Sequence, residues 1–298
     1  MTIDVVPDEE ARPFPRPTAA PRFMPSPQAL AAHLLAGGSP FDFVPLPDWF
    51  SYSSFDMFER CPRQYALRYL CRLETELSSP AAAFGSVAHA AFEMFTRVRR
   101  ERAAGGEGPP GRADLGRFFE SAWVASPLAA EPDAEVWLQR AGPMLDRFWA
   151  EESAGTIETV GEEMRFRLRF PLDWETSVAV TGFVDRVDRL ASGAVELIDY
   201  KTGGASSAAE VESSLQLSIY ALACRDALQL GRPEKVTLNF VEHGLRFSAR
   251  RTDAELDAIR LTLATRAREI RGSDFEPTPC RRACGWCDFT GVCPLTAT

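Results

Sequence analysis

The sequence predicts an α/β domain in which helices sandwich a central sheet. Three observations carry this: helical segments dominate the first half, a strict two-residue alternation starts at Met164, and a strand–strand–strand–helix–strand order follows it. The 298 residues, 45% of them hydrophobic, suffice for one large core or two small ones. No apolar run reaches the length of a membrane span.

Residues 1–27 hold seven prolines and few large apolar groups beyond Phe14, Phe23 and Met24, which suits a disordered tail able to dock a partner. No apolar h-region follows, so a signal peptide is not expected. A short helix fits residues 28–36, before a loop through Pro45 and Pro47. The Pro-rich, largely disordered tail is therefore set at 1–47 and the ordered domain at 48–298. Ser53-Ser54-Phe55-Asp56 offers an N-cap with an acid in the first turn, opening a helix to about Cys71. A second helix is expected over about 84–100, then a Gly-rich loop at 103–111 and helices near 113–125 and 133–152. The stretch from about 101 to 155 thus reads as a helical insertion.

Met164 to Phe170 alternates as a half-buried strand, with Arg165, Arg167 and Arg169 on one face. That face is either solvated or a strip for phosphate contacts. Strands near 177–190 and 194–201, a helix over about 207–230, strands near 235–241 and 245–251 and a helix over about 253–271 complete the order. A cysteine-rich segment, 280–294, ends it. The glycine-rich pieces lack the P-loop spacing, so no ATP site is expected and any motor would be a separate protein.

The candidate chemistry lies on the central strands. In Leu197-Ile198-Asp199-Tyr200-Lys201, Asp199 and Lys201 are two apart and project to one face. Asp185, fourteen residues upstream, falls on a neighbouring strand across a turn at Ser192-Gly193. Two carboxylates and a lysine on a rigid sheet suit metal-dependent phosphodiester cleavage. Asp188, three residues past Asp185, is expected on the opposite strand face, in a surface ion pair with Arg186 or Arg189. His89 lies on an apolar helix, where a packed core residue competes with a ligand. Glu93, one turn on, reads as solvated or as joining the site, and Glu162 and Glu163 open a strand as candidate outer carboxylates.

Seven cysteines occur, four of them in the run from Cys280 to Cys293. The short spacings favour a metal or cluster site over disulfides, as do the odd cysteine number and the absence of secretory features. A reducing, cytoplasmic setting is expected. A local set of Cys280, Cys284, Cys287 and Cys293 would suit zinc. Cys71 and Cys224 lie in apolar helical runs and read as buried thiols.

The ordered series Phe84-Gly85-Ser86-Val87-Ala88-His89, Asp185, Asp199-Tyr200-Lys201 and Gln216-Leu217-Ser218-Ile219-Tyr220 resembles the PD-(D/E)xK nuclease superfamily. Its nearest branch by these motifs is RecB-like, which includes the RecB and AddB nuclease domains and the iron–sulfur nucleases of CRISPR adaptation. The likeness runs from about Ser51 to Pro294. It implies a restriction-endonuclease-like core, a mixed sheet flanked by helices, with a helical N-terminal part and a C-terminal Cys-rich metal-cluster segment. It implies His89, Asp185, Asp199 and the Tyr200 carbonyl as ligands of Mg²⁺ or Mn²⁺, and Lys201 as the catalytic lysine. Gln216 and Tyr220 would contact DNA or orient that lysine. It also implies a [4Fe–4S] cluster on Cys61, Cys284, Cys287 and Cys293, leaving Cys280 surplus, with Zn²⁺ as the alternative occupant.

The activity so implied is exonucleolytic cleavage of DNA, single-stranded or with free ends, in repair or recombination. A separate helicase or other repair subunit would partner it. The net charge of −9 argues against a general nucleic-acid coat but not against a positive cleft. A CRISPR-adaptation-type nuclease and a non-catalytic DNA-binding scaffold are alternatives; the scaffold has no need of the full motif set, which is present. A zinc-ribbon interaction protein accounts only for the C-terminal cysteines.

Overall fold

Two long strands organise the chain, because their alternating residues give the sheet one continuous apolar face. β1 (Trp49–Phe50) is a short strand, while β2 (Glu158–Pro171) and β3 (Ser177–Arg189) pair antiparallel along nearly their whole length. The computed structural model describes residues 25–74, 79–154, 158–285 and 287–295. β4 (Val195–Lys201) continues antiparallel from β3, β5 (Lys235–Phe240) lies parallel to β4, and β6 (Leu245–Ala249) closes the edge antiparallel. β1 joins β3 in parallel at Ala179 and Val180. The sheet is mixed, as the family resemblance implies.

Helices cover both faces. On one side α2 (Tyr52–Arg60), α3 (Pro62–Tyr65), α8 (Leu215–Asp226) and α9 (Asp253–Arg271) bury Phe55, Tyr65, Leu217 and Leu263 against Phe166, Leu168, Val180 and Val184. On the other, α4 (Pro80–Ala104), α5 (Arg112–Ala125) and α6 (Ala134–Ser153) form a second core from Phe84, Phe92, Phe119 and Phe148. Ile198 and Tyr200 of β4 belong to this second core. Among the described residues no helix is long and apolar enough to cross a membrane.

Several expected boundaries move. The helix expected from Ser53 to Cys71 is capped by Ser51 and breaks at Cys61, whose backbone is extended at φ −163° and ψ 109°. Pro62 explains the break: it lacks an N–H and crowds the preceding residue out of the α region. The chain restarts as α3 and runs into a π-turn at Ala66–Leu70. The helix expected at 207–230 is two, α7 (Ala208–Glu212) and α8, because the Ser214 hydroxyl accepts from the Leu217 N–H and starts a new helix. Within the tail expected to reach residue 47, the short helix expected at 28–36 forms one residue earlier. There α1 (Pro27–Leu35) buries Leu30, Ala31 and Leu34 in the first core. Residues 1–24 of that tail lie outside the described residues.

One irregularity in the sheet sets up everything that follows. Phe166, Leu168 and Phe170 point into the first core with Val178, Val180 and Val184, while Arg165, Arg167 and Arg169 face outward. Val187, three residues beyond Val184, returns to that same core, so the two-residue alternation inverts between them. On β2 the inversion falls at Glu163, whose φ of 45° is left-handed. A non-glycine residue in that region is uncommon and turns its side chain out of the regular pleat.

Candidate active site

Where the pleat inverts, β3 and β4 also part. Their pairing runs from Arg189 with Val195 to Arg186 with Ile198, and Asp185 is the next residue along β3. Its carboxylate spans the opening strands, with Oδ2 accepting from the Tyr200 N–H at 2.8 Å. His89 Nδ1 lies 3.4 Å from the same Oδ2, and His89 also hydrogen-bonds the Tyr200 backbone. The helix reaches this close because of Gly85, one turn before His89. A Cβ at Gly85 would lie 3.0 Å from Thr202 Oγ1, just beyond β4. Candidate ligand atoms of His89, Glu163 and Asp185 all fall within 4.8 Å of one another.

Beside this group, Asp199 and Lys201 are tied together by α8. Lys201 Nζ donates to Gln216 Oε1 at 3.0 Å, and Gln216 Nε2 donates to Asp199 Oδ1 at 2.9 Å. The Tyr220 hydroxyl donates to the same Oδ1 at 3.2 Å and receives Gln216 Nε2 at 2.9 Å. Asp199 Oδ2 is ion-paired with Lys201 Nζ at 2.6 Å, and no further donor reaches it among the described residues. The spacing of Gln216 and Tyr220, one helical turn, is what lets both reach a single carboxylate.

The electrostatics follow from crowding acids in a dry place. Burial first, then the neighbouring Asp199, push the Asp185 carboxyl up to about 8, against the pull of the Tyr200 N–H. Glu163 is raised by burial and then by Glu93 and Asp199. Burial holds the His89 imidazole below its usual range, opposed by Asp199. Burial also pulls the Lys201 ammonium down, but Asp199 and then Asp185 outweigh it and the net shift is upward.

These residues fit a divalent cation. Two carboxyls raised by burial and by their acidic neighbours, with an imidazole held below its usual range, bring their ligand atoms within 4.8 Å of one another, a donor set of oxygen and imidazole nitrogen that suits such an ion.

Behind the site lies a buried ionic network the sequence reading misplaced. Asp188 was expected at the surface; it is buried, and accepts from Arg186 Nε at 2.7 Å and from the Thr159 hydroxyl at 2.9 Å. Arg186, 1% exposed, also donates to Glu152 Oε1 at 2.6 Å and to the Tyr200 hydroxyl at 3.0 Å. Arg99 pairs with Glu152 and donates to the Thr159 hydroxyl at 2.8 Å. The second core covers this network, and the sequence distance of Glu152 and Arg99 from the strands hid it.

Glu163 is the site residue that sequence reasoning ranked too low. Its signal was present: strict alternation begins only at Met164, and Gly161-Glu162-Glu163 breaks it. Glu162, by contrast, pairs with Arg100 on the helical side at 2.9 Å. Glu93 pairs with Arg97 at 3.1 Å.

The cysteines gather at the far end. Cys61, Cys284, Cys287 and Cys293 line one pocket with Arg63, Leu67 and Phe289; Cys280 does not line it. The break at Pro62 puts Cys61 there, and none of the described cysteines is in a disulfide. The Phe289 N–H donates to Cys287 Sγ at 3.4 Å. Cys71 and Cys224 are buried elsewhere, their thiols pushed up to about 11 and about 12 by burial.

The chain is similar to known proteins. The Gene 69 protein of Mycobacterium phage L5 is 25% identical over 294 residues, spanning 82% of this chain and 96% of that protein. A solved structure described as "Crystal structure of SSO0001" is 13% identical and covers 91% of this chain and 97% of its own, with a TM-score of 0.39. A family model, the PD-(D/E)XK nuclease superfamily, matches residues 49–294, which take in His89, Glu163, Asp185, Asp199, Lys201, Gln216 and Tyr220 and the cysteines Cys61, Cys284, Cys287 and Cys293. The chain belongs to the PD-(D/E)XK nuclease superfamily.

Proposed function

We propose that this chain is a divalent-metal-dependent deoxyribonuclease of the RecB/AddB-like branch, hydrolysing phosphodiester bonds at DNA ends during repair or recombination. The observation that carries the reading is the group formed by His89, Glu163 and Asp185 beside the Asp199–Lys201–Gln216 linkage. His89, Asp185, Asp199 and the Tyr200 carbonyl would hold Mg²⁺ or Mn²⁺, with Glu163 as an added carboxylate. Such an ion, when bound, lowers the pKa of water and neutralises charge on the phosphate.

The protein's own groups supply the rest. With its pKa raised, Lys201 stays an ammonium at neutral pH. It therefore donates to the attacking water or to developing phosphate charge rather than accepting a proton. Gln216 uses both ends of its amide, accepting from Lys201 and donating to Asp199, and so fixes their relative position. Tyr220 holds the same Asp199 oxygen, and Oδ2 is paired with the Lys201 ammonium.

The test is cleavage of end-labelled single-stranded and duplex DNA with Mg²⁺ or Mn²⁺. Asp199→Ala and Lys201→Ala are expected to lose cleavage while keeping the fold, and retained activity in both would end the assignment. The product ladder gives the polarity.

At the cysteines the reading is a [4Fe–4S] cluster on Cys61, Cys284, Cys287 and Cys293, with Zn²⁺ as the alternative. Four thiols around one pocket support all-thiolate ligation. Such a centre would staple the Pro62 break to the C-terminal segment across more than two hundred residues, a structural role. Iron, sulfide and zinc content of anaerobically purified protein decides the occupant. Cys61→Ser is expected to lose it and Cys280→Ser to keep it. The odd cysteine number and the short spacings favour a reducing, cytoplasmic setting, and a helicase supplied by a separate chain would present the DNA ends.

A further inference from the structure

The acid site opens on two clefts of opposite character. One is lined by Ala82, Gly85, Ser86 and Ala90 with His89, Glu93 and Glu163; it holds small side chains, carboxylates and the His89 imidazole, and no Phe, Tyr or Trp. The other, about 380 Å³, runs from Asp185, Gln216 and Tyr220 to Trp49, Tyr52 and Phe183, with Arg165 at its side. Phe183 is 44% exposed although it lies only two residues before Asp185 on β3. Arg165 is its cross-strand partner on β2, and is exposed. The neighbouring Gly182 has no side chain, and the Phe166 ring fills the space where a Cβ would be, 2.7 Å away at its nearest atom.

Rings held by a strand end and a helix start, beside a guanidinium and open to the acid site, match what an unpaired nucleotide offers. Every base has an apolar face that stacks on aromatic rings, and its phosphate suits arginine. We propose that this cleft is a nucleobase subsite. Trp49, Tyr52 and Phe183 stack an unpaired base of the strand being cut, and Arg165 contacts an adjacent phosphate. The first cleft is lined by no arginine or lysine, whereas Arg165 lines the second, so the strand approaches from the aromatic side. A base paired in a duplex keeps its faces covered by its neighbours, so the subsite favours frayed or single-stranded DNA. It also supplies affinity that a chain of net charge −9 lacks as a whole. The inference rests on the nuclease reading but is tested apart from it.

The experiment uses the full chain with a single-stranded oligonucleotide carrying 2-aminopurine, whose fluorescence is quenched on stacking. Binding and quenching are measured in an Asp199→Ala background, and cleavage in the otherwise native chain with Mn²⁺. Phe183→Leu and Tyr52→Leu are expected to abolish the quench and raise KM for single strands about tenfold, as loss of one stacked base does. Phe183→Trp is expected to keep both near the native values, which a merely apolar position would not require. Arg165→Gln should lower the salt dependence of binding by about 0.7 in the logarithmic slope. Unchanged quench and KM in both leucine variants would overturn the subsite, even with cleavage intact. Absence of cleavage in the native chain, with the quench present and lost in Phe183→Leu, would keep the subsite and sink the nuclease reading. Phe183 is exposed, so its variants are expected to fold, which circular dichroism checks.

Discussion

Arg186 donates to the hydroxyl of Tyr200 at 3.0 Å, joining β3 to β4 from the side opposite the acids. Each partner is the chain neighbour of site residues: Arg186 follows Asp185, and Tyr200 separates Asp199 from Lys201. The contact therefore fixes the spacing of the two strands at the place where their ladder stops. Glu152 and Asp188 balance the guanidinium, and Arg99 balances Glu152.

Breaking this network is expected to be costly for stability as well as activity. Glu152→Gln would leave two buried guanidiniums short of a counter-charge, and losses of about 3–5 kcal/mol are typical of such breaks. Urea unfolding of the metal-free protein measures it. A loss below 1 kcal/mol would mean that water reaches the network.

Gln216 orients both functional groups of the Asp-x-Lys strand without being placed as a ligand. Gln216→Leu is expected to lower activity or metal affinity roughly 10- to 100-fold, as removal of groups that hold a metal's ligands does. Calorimetric titration with Mn²⁺ alongside cleavage rates would separate the two effects. Full activity in this variant would show that Lys201 and Asp199 hold their positions unaided.

The raised Asp185 carboxyl makes stability and metal affinity respond to pH in opposite ways. In the metal-free protein its pKa is about 8, against about 3.9 in an unfolded chain. Between those values the folded state holds a proton that the unfolded state has released, so the group's contribution to stability falls as pH rises towards 8 and is flat above. Asp185→Asn cannot ionise and should become progressively more stable than the native chain over that window. Cation binding displaces the same proton, so Mn²⁺ affinity should climb by up to about tenfold per pH unit below 8. An affinity independent of pH between 5 and 8, on the order of the window given by these pKa values, would contradict the raised pKa.

Gly85 sets how close His89 comes to the strands. Gly85→Val is expected to push α4 away from Thr202 and to cut activity more than stability, since the helix itself survives the change. Thr202→Gly in the same chain should restore part of the activity, and the double-mutant cycle quantifies the coupling. Additive effects would place the lost activity somewhere other than this contact.

The face of each strand was legible wherever the two-residue period held, as was the order of the main helices and strands. Phe166, Leu168 and Phe170 could only turn inward together, and Asp199 with Lys201 could only share a side. The Gln216–Tyr220 spacing likewise set both side chains on one turn of helix. Local rules also contained the break at Cys61, since Pro62 forbids a continuous helix, although helical periodicity on both sides masked it.

Where those periods fail was set by packing between distant segments. The left-handed Glu163 brought an underrated carboxylate to Asp185, and the parting of β3 from β4 opened the space that His89 enters. Burial of Asp188 depended on Arg99 and Glu152, which arrive from helices far along the chain. The aromatic cleft likewise needed Trp49, Tyr52 and Phe183 to meet across more than a hundred residues. The physical reason is common to all of these. Periodicity records which way a side chain points relative to its own backbone, whereas burial, charge and proximity depend on which other segments pack there.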